Sequence, residues 1–269
     1  MPVLSFLTCH RKEQVVAPVL AQAGYVVTVV DSFNTDNLGT FTSEKARPHS
    51  QVDTAIAKAR MACDLGGSRF GLGSEGAFGP HPEMPSVAYD LEVLAFWDLE
   101  RDSAIVVQHG SVETNFQTQE VHSLAQVTSF LDRVQCPSHG VIVGRAHEPH
   151  FAKGLIDRDA VMRRAEAIIQ TQGSVWLETD MRAHLNPSRM RVIAETADKL
   201  LASLQRHCPQ CNQPGFDKVD SVHGAQCAQC GFPSKYPKCD IYRCQACGHE
   251  EKRALKATIS PADCLICNP

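Results

Sequence analysis

Eight cysteines near the end of the chain are spaced to hold metal. They form four Cys-x-x-Cys knuckles: Cys208/Cys211, Cys227/Cys230, Cys244/Cys247 and Cys264/Cys267. Two thiolates three positions apart on a tight turn can both face one tetrahedral ion. Gaps of roughly 15 residues between first and second, and between third and fourth knuckles, suit structural zinc. The spacing predicts two four-cysteine zinc ribbons in series, first knuckle with second and third with fourth. A cross-braced pairing, first with third and second with fourth, is the alternative. Every ligand is a cysteine and no coordination position is left open, so the two Zn2+ ions are expected to be structural. Gly231 and Gly248 directly follow two knuckles, where the turn needs a left-handed residue. Disulfides fit poorly beside three scattered cysteines, Cys9, Cys63 and Cys136. Cys239 is left over as a free thiol or a substitute ligand, and His207, His223 and His249 read as bystanders.

A second chemistry-bearing stretch is GLGSEGAFGPHP, Gly71 to Pro82. Its glycines allow close approach to a ligand, and its prolines forbid a helix. Glu75 is expected on a Gly/Pro-framed loop at a strand end, with His81 and Glu83 behind it. Gly71, Gly73 and Gly76 spell the dinucleotide fingerprint, which needs a helix to start at the third glycine. Gly79, Pro80 and Pro82 exclude that helix. The third stretch is VWLETDMRAHLNPSRM, Val175 to Met190. It gathers Glu178, Asp180, Arg182, His184 and Arg189 between a strand end and a helix start. Asn186 reads as the N-cap and Pro187 as the first helical residue. Acids there could bind a metal, and arginines a phosphate. Cys9-His10 suggests a nucleophile, but neighbours in sequence rarely align as nucleophile and base.

The positioning elements follow from periodicity. Val3–Thr8 reads as a buried strand, followed by a helix to about Ala23 that begins properly near Pro18. Tyr25–Val30 is a second strand. The 31–50 segment is a long polar loop. Gln51–Leu65 is a helix whose apolar stripe is Val52, Ala55, Ile56, Ala59, Ala62 and Cys63, with Lys58 and Arg60 off it. Asp90–Trp97 and Ala104–Gln108 form a hairpin. Helices are expected over 121–134, 159–171 and 187–206, and strands at 140–143 and 175–177. This alternation gives an α/β fold with a mixed sheet flanked by helices, followed by a small Cys-rich tandem zinc-ribbon domain. Nine of the 12 cysteines fall within 208–267, which places a boundary between an α/β domain at 1–205 and the ribbons at 206–269.

At 269 residues and net charge −4, the chain can bury a real core, and nothing in its overall charge draws it to nucleic acid or membranes. There is no apolar run of membrane-spanning length and no signal-peptide pattern, so a cytoplasmic protein is expected.

The first half resembles the inosine/xanthosine triphosphate pyrophosphatase superfamily. The matching pieces are Thr8…Lys12-Glu13, Gly39-Thr-Phe-Thr42, Thr54-Ala-Ile-Ala-Lys-Ala-Arg60 and Gly73-Ser-Glu-Gly-Ala-Phe78. Cys9-His10 stands where that superfamily has an asparagine, and Glu13 adjoins Lys12 directly. The whole chain resembles an uncharacterised bacterial family sharing the GTFT, SEGAFGPHP and ETDMRAHLNPSRM stretches and the Cys-rich tail. The pyrophosphatase resemblance implies Mg2+-assisted hydrolysis of a nucleotide phosphoanhydride. Glu75 would hold the ion with Glu13, Asp180 or Glu178. Lys12, Arg182 and Arg60 would neutralise phosphate charge, and His81 would contact the leaving group. The competing expectation is a nucleotide-binding protein whose ribbons dock nucleic acid or a protein. Convergence of Glu75, Asp180, Lys12 and Arg182 in one pocket would favour the enzyme.

Overall fold

The computed structural model describes residues 1–31, 50–255 and 258–269. The chain divides into two compact units, Met1–Leu201 and Ala202–Pro269. Most of the expected 31–50 loop, with its GTFT sequence, lies outside the described residues.

The first unit holds two sheets. The larger has the order β2-β1-β3-β4-β5, from Val26–Val30, Val3–Leu7, Phe70–Pro80, Ala88–Asp98 and Ser103–Ser111. β1 pairs parallel with β2 and β3, whereas β3, β4 and β5 form an antiparallel meander, so the sheet is mixed. The second sheet has the order β6-β9-β7-β8, from Thr118–Val121, Val175–Thr179, Val141–Val143 and Ala152–Leu155, and is antiparallel throughout. Helices α3 (Leu124–Arg133) and α4 (Arg158–Gln172) cover one of its faces. There Val127, Phe130, Leu131, Val161 and Ala165 pack against Val121, Val141, Val143, Val175 and Leu177. β9 alternates as a half-buried strand should, with Val175, Leu177 and Thr179 inward.

Three expectations need correction. The Glu75 stretch is not a loop: Phe70–Pro80 is one continuous strand, paired residue for residue with β4 from Phe70↔Asp98 to Pro80↔Ala88. Helix α1 runs Glu13–Leu20 with Pro18 inside it, so the proline does not mark its start. The helix expected over 121–134 begins only after Ser123, whose hydroxyl accepts the Gln126 N–H, because Thr118–Val121 is a strand.

The fingerprint glycines have a packing reason. Helix α2 (Gln51–Gly66) lies so close to β3 that a Cβ on Gly73 would sit 2.0 Å from the Ala55 carbonyl oxygen and 2.6 Å from the Ala59 nitrogen. Backbone cannot yield as a side-chain tip can. Gly73→Ala is therefore expected to destabilise the first unit by at least about 1–3 kcal/mol, read as a lower urea midpoint with unchanged m-value.

In the second unit, β10 (Phe216–His223), β12 (Pro237–Cys244) and β13 (Glu250–Ala254) form an antiparallel sheet. β11 (Gln226–Cys227) pairs parallel with β14 (Thr258–Ile259). Among the described residues, no helix is long and apolar enough to cross a membrane.

Candidate functional site

In the first unit, the pairing of β1 with β3 ends at Phe6↔Leu72, so β3 runs on past the end of β1. Charged side chains meet around this stretch. Lys12, at the N-cap of α1, is 6% exposed and donates from Nζ to Ser74 Oγ at 2.6 Å. Lys58 of α2 reaches Glu75 Oε1 at 2.6 Å. Arg189, from helix α5 (Pro187–Gln205), donates through Nε to Glu92 Oε1 at 2.6 Å and through Nη1 to the Met181 carbonyl at 2.5 Å. Its guanidinium lies 4.9 Å from the centre of the Phe78 ring. Asp90 stands two residues from Glu92 on the same face of β4. All these charged residues are buried.

Local structure aims them. Asn186 Oδ1 accepts the Arg189 N–H at 3.0 Å, the expected N-cap, and its amide donates to Asn115 Oδ1 at 2.9 Å. That cap fixes the first turn of α5 and with it Arg189. Gly76 leaves room for the ion pair: a Cβ there would meet Arg189 Nη2 and Glu92 Oε1, each at 2.5 Å. Lys58 occupies a core position of α2, beside Thr54, Ala55 and Ala59, because Glu75 receives its ammonium. It is buried, although it lies off the apolar stripe.

The electrostatics are those of buried charges close together. Burial, then the charge of Arg189, pulls the Lys12 ammonium down to about 8. Burial, then the neighbouring Glu92 charge, pushes the Asp90 carboxyl up to about 8. Displacements of this kind cluster at functional sites, and structural ion-pair networks also produce them.

The structure thus brings Lys12 and Glu75 together and adds Lys58, Ser74, Asp90, Glu92 and Arg189. The other sequence candidates have different side-chain partners. Asp180 is 1% exposed; it accepts the Gly154 N–H at 2.9 Å and pairs with Arg182 at 2.6 Å, bracing the end of β9. His184 beside them stacks on His10, with ring centres 5.2 Å apart. Glu178 lies on the neighbouring strand face beside Trp176, its carboxyl raised by burial. His81 organises the β3–β4 turn: Nδ1 accepts the Glu83 and Met84 N–H groups, and its ring meets Tyr89 edge-on. Arg60 lies on the exposed side of α2, over Trp97 and 3.9 Å from Asp102. Glu13 is the first residue of α1 and half-buried.

In the second unit the knuckles gather in two sets, Cys208, Cys211, Cys244 and Cys247, and Cys227, Cys230, Cys264 and Cys267. This is the cross-braced pairing, and it corrects the sequential expectation. The reason is strand length. β10 is eight residues, roughly 25 Å at about 3.4 Å per residue, and it separates the first two knuckles. The antiparallel register Phe216↔Cys244 sets the third knuckle beside the first. The pairing Cys227↔Ile259 brings the fourth beside the second.

The donor set fits zinc. A tetrahedral ion with Zn–S bonds of about 2.3 Å holds its sulfurs about 3.8 Å apart. The Sγ–Sγ separations are 3.8 Å for Cys208–Cys247, 3.7 Å for Cys211–Cys244, 3.9 Å for Cys227–Cys267 and 3.6 Å for Cys230–Cys264. A disulfide would need about 2.05 Å. Backbone N–H groups of Gln210, Gln229, Cys247 and Ile266 each lie 3.4 Å from a knuckle sulfur, an arrangement that favours thiolate. Gly231 and Gly248 have φ of 71° and 74°, and Asn212 takes the same left-handed turn at 55°. Each set can therefore hold one zinc ion, closed on all four sides. Cys239 belongs to neither.

A family described as a domain of unknown function (DUF6671) matches residues 58–269. No curated protein and no solved structure matches the chain. None of the comparisons supports the pyrophosphatase resemblance.

Proposed function

The chain belongs to the DUF6671 family, and from that starting point we propose that its first unit is a Mg2+-dependent hydrolase of nucleotide phosphoanhydrides, joined to a structural zinc module. The observation that carries this reading is that three buried cations reach one short stretch of β3 and β4: Lys12 at Ser74 and Arg189 at Glu92 on one face of the sheet, and Lys58 at Glu75 on the other. Buried ammonium and guanidinium groups at one place are a site for a polyanion, and phosphates are the common biological one. The Glu75 carboxylate is a hard oxygen donor of the kind Mg2+ takes, and Mg2+ needs only one or two beside water and substrate phosphates. Glu75 would hold the ion; when bound, the ion would withdraw negative charge from the phosphates. Lys58 holds the Glu75 carboxylate in place. Lys12 and Arg189 would bind and orient the phosphates, and Ser74 holds the Lys12 ammonium in place. Asp180 and Arg182 would act at one remove, fixing the chain that leads into Asn186 and α5.

The test is phosphate and pyrophosphate release from a panel of nucleoside triphosphates, with and without Mg2+. Glu75→Gln is expected to lower metal-dependent release about 100-fold with the fold intact. No release by a folded, zinc-loaded protein would overturn the hydrolase. The second reading, nucleotide or nucleic-acid binding without hydrolysis, is favoured by the closure of Asp180 on Arg182, which engages the acid expected to act with Glu75. The zinc module would then serve a nucleic-acid or protein partner.

A further inference from the structure

We infer that Asp90 is a neutral carboxylic acid sharing one proton with Glu92, and that this proton gives the buried cluster the excess positive charge that selects a phosphate-type anion. The inference rests on the reading of the cluster as an anion site.

The argument begins with oxygens. Asp90 is 0% exposed, and among the described residues no donor reaches either of its carboxylate oxygens; the side chain they meet is the carboxyl of Glu92. Glu92 is 1% exposed, and its Oε2 also lacks one. Three buried acceptors without a donor are costly, more so when charged. Three donors nearby have other acceptors: Arg189 Nε gives to Glu92 Oε1, Lys12 Nζ to Ser74 Oγ and Lys58 Nζ to Glu75 Oε1. One proton on Asp90 turns an acceptor into a donor towards its strand neighbour Glu92, and needs no rearrangement of the side chains around it. It comes from solvent as the chain folds and stays on the carboxyl.

The charges facing Asp90 are Glu92 on its own strand, Arg189 from α5 and Lys12 from α1. With Asp90 ionised, the two acids and two bases on that side cancel. With Asp90 neutral, Lys12 and Arg189 outweigh Glu92 by one charge, and the Lys58–Glu75 pair adds nothing net. A buried excess cation attracts an anion. Burial and Glu92 hold the carboxyl neutral until about pH 8, so the attraction is present at neutral pH and is lost as pH rises through that value.

Two measurements on the full, zinc-loaded chain test this. Infrared spectra at pH 7 are expected to show the carbonyl band of a buried carboxylic acid, lost on titration to pH 9 and missing in the isosteric Asp90→Asn. Calorimetry with inorganic pyrophosphate is expected to show wild-type affinity falling about tenfold more between pH 7 and pH 9 than that of Asp90→Asn, whose residual fall reports Lys12. Pyrophosphate bound without the band would overturn the shared proton alone. The band without any pyrophosphate binding would overturn the anion site and the selection inferred here. The same pH dependence in both proteins would assign the proton to Lys12 and overturn the role of Asp90.

Discussion

Arg189→Met is expected to destabilise the first unit by about 3–5 kcal/mol, because it leaves the Glu92 carboxylate buried with no cation on it. For a unit of about 200 residues that is a drop of about 6–20 °C in melting temperature. The pair itself is a different matter. Taking both charges out of water offsets most of their attraction, so removing both partners should cost much less than removing one. Arg189→Met with Glu92→Gln is therefore expected to recover most of the loss, and a double-mutant cycle measures the coupling. The opposite outcome is informative. If Arg189→Met leaves stability unchanged or raises it, the guanidinium is held under strain for a ligand rather than for Glu92, the usual trade of stability for activity. Pyrophosphate binding should be lost in either case, since the proposed site loses its cation.

The sequence showed where the charged cluster begins but not what completes it. Lys12 and Glu75 could be singled out because each stands out locally, one after a strand and one among glycines. Lys58 could not. On a helical wheel it borders the apolar stripe, where a lysine normally snorkels to water, and its partner lies 17 residues away on another element. Asp90 and Glu92 look like the outward half of an alternating strand, yet both point inward because Arg189, 97 residues from Glu92, covers that face. Such acids could have been suspected only from the strand's second face being too apolar to be the sole core face: Leu91, Val93 and Ala95 already fill it.

The Gly71–Pro82 stretch misled in the other direction. Glycine and proline argue against a strand, but their intrinsic preference is weak beside eleven residues of pairing with β4. The alternation of β1, α1, β2 and α2 was legible because each element carries its own period. The second sheet was only partly so: β6 and β8 are four residues each, too short to show alternation.

Loss of zinc is expected to unfold the second unit completely. Its buried apolar cluster is Cys208, Phe216 and Cys244, with Cys211 and Tyr242 against them, so the ligands themselves make up most of the core. Structural zinc supplies about 10–16 kcal/mol in such small folds, more than any other contact available here. A chelator should abolish the strand signal of residues 202–269 while the first unit keeps its own transition. The pairing has a sharper test in metal content. Cys208→Ala with Cys244→Ala strikes one site of the cross-braced arrangement and should leave one zinc per chain on Cys227, Cys230, Cys264 and Cys267. Sequential pairing would put those two substitutions in different sites and leave none. Cys208→Ala with Cys227→Ala reverses the outcomes: none if cross-braced, one if sequential. Because β10 and β12 connect the two sites, loss of one ion could loosen the other, and the two double variants together remove that ambiguity. Only cross-bracing gives more zinc in the 208/244 variant than in the 208/227 variant.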